Sequence, residues 1–179
     1  MPNSKAPDAN AHPPPKIMPY MAAAALIMMG VYFLPNYLFL EVWTAYNAAY
    51  LLSLIGTDAQ VMITGGAAFL DGIHIVRECT GIQVIAVFMG LLIPLPNAGW
   101  KRKLLALLIV SAILYAANAA RIALEFSLVY SGMLPWSLAH YPMSLLLGIL
   151  GMLLLVVITD KVLPEFGDFL LSAFRSRSQ

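Results

Sequence analysis

The chain has 179 residues, 61% of them hydrophobic and 11% charged, with a mean hydropathy of +0.82; soluble domains carry roughly a quarter charged residues, so an ordinary water-soluble enzyme is excluded. A net charge of +1 offers no basic field to recruit nucleic acid by counterion release. The single cysteine, Cys79, excludes an intrachain disulfide framework and a thiolate cluster, and no metal or cofactor is expected.

Residues 1–16 are rich in proline and small polar side chains, too little apolar surface to offset the entropy of ordering, and predict a disordered tail. Residues 17–40 carry no charge and at about 1.5 Å per residue reach across roughly 30 Å of hydrocarbon, even with Pro19 and Pro35 near the ends. This predicts an uncleaved first span. Residues 42–56, VWTAYNAAYLLSLIG, are apolar on one face and marked by Trp43, Tyr46 and Tyr50, which predicts a short interfacial helix. Residues 57–78 hold two β-branched runs, 61–64 and 73–76, punctuated by Gly65-Gly66 and Asp71-Gly72, which predicts a small external β-hairpin. Charge-free runs at 79–100, 104–120 and 141–159 predict three further spans, and residues 161–179 a second tail. The fold class is an all-α polytopic membrane protein of about four transmembrane helices, with membrane residues 17–160.

Basic residues orient that bundle, because they concentrate in cytoplasmic segments. With both termini cytoplasmic, Lys5, Lys16, Lys101, Arg102, Lys103, Lys161, Arg175 and Arg177 lie inside and Arg77 and Arg121 outside. Letting residues 42–56 span would weaken the asymmetry. The expected location is therefore the plasma membrane, multi-pass.

In this topology three reactive side chains fall at helix ends on the external face. Cys79, in ECTGIQ, opens a span whose amino terminus favours thiolate; Arg77 adds positive charge, Glu78 opposes it, and Gly81 permits close approach. Arg121, in NAARIALEF, ends an apolar run where a guanidinium needs an acceptor, and Asn118 shares its helical face. His140, in LAHYPMS, opens the last span and suits proton transfer. Each also has a plainer explanation: a thiol filling space, an arginine anchored at the interface and paired with Glu125, a histidine bonded to water or headgroups. His74, in the hairpin, is a reserve base. Asp58 and Asp71 are turn residues.

The ordered set ECTGI, KRK, NAARIAL and LAH, followed by a last apolar run, resembles the exosortase and archaeosortase family of membrane cysteine transpeptidases across about residues 42–160. The resemblance implies Cys79 as nucleophile with Arg121 and His140 as partners, and Arg77, Gly81, Asn118 and His74 as supporting or substrate-binding candidates. It also implies membrane-anchored substrate proteins that carry a carboxy-terminal sorting signal, cleaved on the extracytoplasmic face through a thioester. Water and a lipid or other envelope acceptor both suit the second half-reaction. The alternative is a noncatalytic membrane scaffold or lipid-headgroup-binding protein, which predicts tolerance of Cys79→Ser.

Overall fold

The computed structural model describes residues 17–33 and 36–175. The predicted tail 1–16 and residues 176–179 lie outside the described residues. In chain order the elements are α1 (Ile17–Phe33), α2 (Leu38–Leu54), β1 (Val61–Thr64), β2 (Ala67–Leu70), β3 (Ile73–Ile75), a 3-10 turn (Arg77–Thr80), α3 (Ile82–Leu92), α4 (Trp100–Tyr130), α5 (Trp136–Val162) and α6 (Pro164–Arg175).

Two helices, α4 and α5, are long and apolar enough to cross a membrane, and α1 with α2 add a third span if that pair, bent by 74°, acts as one. At 1.5 Å per residue, α4 runs about 46 Å and α5 about 40 Å, both beyond a hydrocarbon core. The α5 face carrying Leu145, Leu146, Ile149, Leu150, Leu153, Leu154 and Val157 is exposed, as a lipid-facing surface must be.

By length and apolarity the described residues thus hold two candidate spans, or three with the bent pair, where four are expected. The predicted span 79–100 holds the 11-residue helix α3, about 16 Å long and half a crossing. Its run stays apolar, but Pro94 and Pro96 lack the N–H groups a helix needs. Two carbonyls of this region find side chains instead: Tyr20 donates to the Leu91 carbonyl at 2.7 Å and Lys103 to the Ile93 carbonyl at 2.8 Å. The predicted span 104–120 is part of a longer helix, since α4 continues to Tyr130. Its charges beyond Ala120, Arg121 and Glu125, pair with each other one turn apart and need not end the helix.

The predicted interfacial helix 42–56 starts earlier, at Leu38. Asn36 adopts a left-handed φ of 62° and its side-chain oxygen accepts the Leu38 N–H at 3.0 Å, initiating the helix. Phe39, Trp43, Tyr46, Tyr50 and Leu54 form its exposed face, while Thr44, Ala45, Ala48 and Leu52 are buried. The predicted hairpin is a three-stranded antiparallel sheet in the order β1-β2-β3. Both expected turns form, with positive φ at Gly65, Gly66, Asp71 and Gly72, the geometry that matches strand twist across a two-residue loop. The middle strand, AAFL, is the addition: its small alanines give little β signal, and it is held by Ala68 and Leu70 packing with Ile75 against α2.

Two cores lie toward opposite ends of α4. One joins Tyr20 of α1, Phe88 and Leu92 of α3, Ala106 and Val110 of α4, Leu155 of α5, and Phe166 and Phe169 of α6. α6 therefore docks where a cytoplasmic tail is expected. The other joins α2, the sheet, and Ile122, Ala123 and Phe126 of α4, with Cys79 and Trp136 packed against it.

Candidate functional site

Cys79 sits in the 3-10 turn between the sheet and α3, a turn locked from several sides. Its N–H bonds the Val76 carbonyl at 2.8 Å, and the Thr80 hydroxyl donates to the Arg77 carbonyl at 2.7 Å while accepting from the Ile82 N–H at 3.3 Å. Gly81 takes φ 76° to turn into α3, with its Cα face against Leu114 and Asn118 of α4. The fourth anchor is the Asn118 amide, which donates to the carbonyl of Cys79 itself.

From Asn118 the hydrogen bonds continue along α4. Asn118 Oδ1 accepts from Arg121 Nε at 3.3 Å and from Nη2 at 3.2 Å. Arg121 Nη1 donates to Glu125 and, at 2.6 Å, to Ser144 Oγ. Ser144 donates in turn to the same carboxylate, whose other oxygen lies 3.1 Å from His140 Nδ1. The His140 ring stacks on Trp136, centroids 5.1 Å apart and planes within 9°, and Trp136 packs edge-on against Phe126.

The spacing of these residues explains their meeting. Asn118, Arg121 and Glu125 recur three and four apart on α4, one helical face, and Trp136, His140 and Ser144 recur four apart on α5. The two helices are antiparallel neighbours joined by a short turn. Glu125 and His140 stand equally far from its middle, as do Arg121 and Ser144, so each pair faces the other at one level.

The structure therefore brings Arg121 and His140 into one bonded network, tied through Asn118 to the backbone of Cys79. Arg121 is not a helix-end anchor: α4 runs beyond it to Tyr130, and His140 likewise lies inside α5, one turn past Trp136. Two further members, Glu125 and Ser144, stand between them. Glu125 is 1% exposed, and its i+4 spacing from Arg121 is the signal that reveals it in the sequence. Ser144 carries the same spacing from His140.

Other candidates are placed elsewhere. Arg77 donates to the Tyr32 carbonyl at 3.0 Å and lies 5.1 Å from the Tyr37 ring, engaged with the chain around the end of α1. His74 is exposed on the sheet and stacks on Phe69 at 5.1 Å. An open apolar cavity of about 390 Å³, lined by Met28, Met29, Tyr32, Phe33, Gln83, Ala86 and Val87, lies between α1 and α3 and contains none of the network.

The electrostatics also differ from the sequence expectation for the thiol. Cys79 is not in the first turn of α3, and the 3-10 turn that carries it lies outside the helices long enough to span. Burial pushes its thiol above the ordinary range. A backbone hydrogen bond at Val76 and the Arg121 charge oppose the shift, while Glu125 and Glu78 add to it. A thiol shifted in that direction needs a base before it can act as a nucleophile.

These features define a class: a membrane protein with candidate spans and a half-buried thiol whose backbone is tied to an Asn–Arg–Glu–His chain between two long apolar helices. The family model described as transmembrane exosortase matches residues 17–159, and the chain belongs to that family, generally one of cysteine transpeptidases. No curated protein and no solved structure gives a match.

Proposed function

We propose that this protein is a plasma-membrane cysteine protease-transpeptidase that cleaves the carboxy-terminal sorting signals of exported proteins on the extracytoplasmic face. The observation that carries this reading is the continuous set of hydrogen bonds from the Cys79 carbonyl through Asn118 and Arg121 to Glu125 and His140. Polar groups in a membrane bundle are costly unless satisfied, and this network gathers the residue types that acyl transfer requires.

Cys79 attacks the scissile carbonyl of a substrate confined to the same bilayer, where orientation replaces part of the entropic barrier. His140 removes the thiol proton and returns it to the leaving amine, producing a thioester, and then deprotonates the acceptor. Arg121 stabilises the oxyanion. A guanidinium has five N–H donors, of which four are engaged with Asn118, Glu125 and Ser144; the fifth, on Nη2, is available to a developing negative charge. The acceptor, water or a lipid amine, enters only after this common first half-reaction.

The test is co-expression with a membrane-anchored candidate substrate ending in a short motif, an apolar helix and a basic tail. Wild type is compared with Cys79→Ala, Arg121→Ala and His140→Ala at matched membrane levels. Loss of processing in all three is expected, and undiminished processing by Cys79→Ala or Cys79→Ser returns the scaffold alternative. Labelling of Cys79 by an impermeant maleimide from the outside alone is the matching topological result.

A further inference from the structure

The reaction just described makes no use of Glu125, yet a carboxylate whose side chain is 2% exposed on a helix apolar enough to cross a membrane is an expensive feature that needs partners. Its two oxygens serve different neighbours. One accepts from Arg121 Nη1 and from the Ser144 hydroxyl. The other faces His140 Nδ1 at 3.1 Å. The proton order on the first side is set by chemistry: arginine can only donate, and Ser144 accepts from Arg121 at 2.6 Å, so its single proton points at Glu125.

The geometry points to Glu125 as the positioning residue of the site, holding His140 in the tautomer protonated at Nδ1 and leaving Nε2 free to carry the reaction's proton. This rests on the Cys79 mechanism above. A carboxylate accepts at both oxygens, so Nδ1 must donate, and the negative charge stabilises the imidazolium formed when Nε2 takes a proton. The stack on Trp136 restrains the ring. Arg121 and His140 share one carboxylate, so the group that binds the oxyanion and the group that moves the proton keep a fixed separation.

A substitution separates this from a merely structural role. In Glu125→Gln the amide oxygen stays with the two donors, Arg121 and Ser144, so the NH2 group faces His140. Nδ1 must then accept, and the proton moves to Nε2. Nitrogen NMR of ring-labelled histidine in the full-length protein, with His140 assigned by its loss in His140→Asn, reads this directly at a pH where the ring is neutral. Expected are Nδ1–H in wild type, Nε2–H in Glu125→Gln, and Nδ1–H restored in Glu125→Asp. Substrate processing should fall at least about 100-fold in Glu125→Gln and recover at least tenfold of that in Glu125→Asp. An unchanged tautomer in Glu125→Gln, or a swapped tautomer with processing within threefold of wild type, overturns the assignment. Cys79→Ala, run alongside, tests the parent mechanism by itself: if it processes substrate normally, that mechanism fails whatever the histidine spectrum shows.

Discussion

Arg121→Lys separates the charge of Arg121 from its shape. Arg121 makes four hydrogen bonds to three partners, and its side chain is 17% exposed beside a carboxylate that is 2% exposed. A lysine keeps the positive charge that neutralises Glu125, but its ammonium has three donors in place of five. Asn118, Glu125 and Ser144 consume all three, so no donor remains for an oxyanion. Stability should fall by about 1–2 kcal/mol, the loss of one charge-assisted bond and the planar fork. The transition state should lose about 3 kcal/mol, the value of one oxyanion donor, which is roughly a 100-fold lower kcat with KM little changed. Arg121→Ala is a different experiment, because it leaves Glu125 buried without its cation and costs about 3–5 kcal/mol of stability. Thermal unfolding of the detergent-purified variants gives the first quantity, and single-turnover release of the basic tail from substrate in membranes gives the second. A lysine variant that retains its fold and processes within threefold of wild type refutes the assignment of the free Nη2 donor to the reaction.

Other outcomes follow from the same geometry. A Cβ on Gly90 would lie 2.5 Å from Met28 Cγ and 2.7 Å from the Ala24 carbonyl; backbone cannot yield as a side chain can, so Gly90→Ala should lower stability by about 1–3 kcal/mol, read by thermal unfolding. Gly81 has φ 76° with only ordinary contacts around its added Cβ, so Gly81→Ala should cost about 1–2 kcal/mol through the backbone alone, and Gly81→Asn less. Because burial raises the Cys79 thiol's pKa, its thiolate fraction at pH 8 is below that of an ordinary thiol, and alkylation should still climb with pH where a free cysteine, with pKa near ~8.5, levels off. A plateau at or below the pH where the free cysteine levels off contradicts the burial argument.

Much of the candidate site is legible in the sequence, and what is missed has specific causes. Cys79, Arg121 and His140 stand out because a thiol, a guanidinium and an imidazole each stand at the edge of an apolar run, and Asn118 follows from helical spacing. Glu125 enters the sequence reading only as the ion-pair partner of an anchoring Arg121, not as part of the site. Ending a span at the first charge places it beyond the helix, whereas Arg121 and Glu125 satisfy each other at i,i+4 and the helix runs on to Tyr130. Once α4 and α5 are drawn at full length, residues equally far from their turn face one another and the carboxylate meets the histidine.

The fold shows the same limit. Hydropathy alone cannot distinguish α3 from a full crossing, because residues 93–99 stay uncharged while Pro94 and Pro96 withdraw their backbone donors. In the sheet the glycine-rich turns are plain from sequence, but β2, made of two alanines, a phenylalanine and a leucine, is specified by what it packs against.

The proposed reaction passes through an acylated Cys79. Purified full-length protein mixed with a tailed substrate and quenched in acid, then digested and analysed by mass spectrometry, should yield the peptide bearing Cys79 joined to the substrate's amino-terminal fragment, in a linkage released by hydroxylamine and missing from Cys79→Ala. Release of the substrate tail at the wild-type rate by Cys79→Ala, with no adduct on the wild-type peptide, would contradict it.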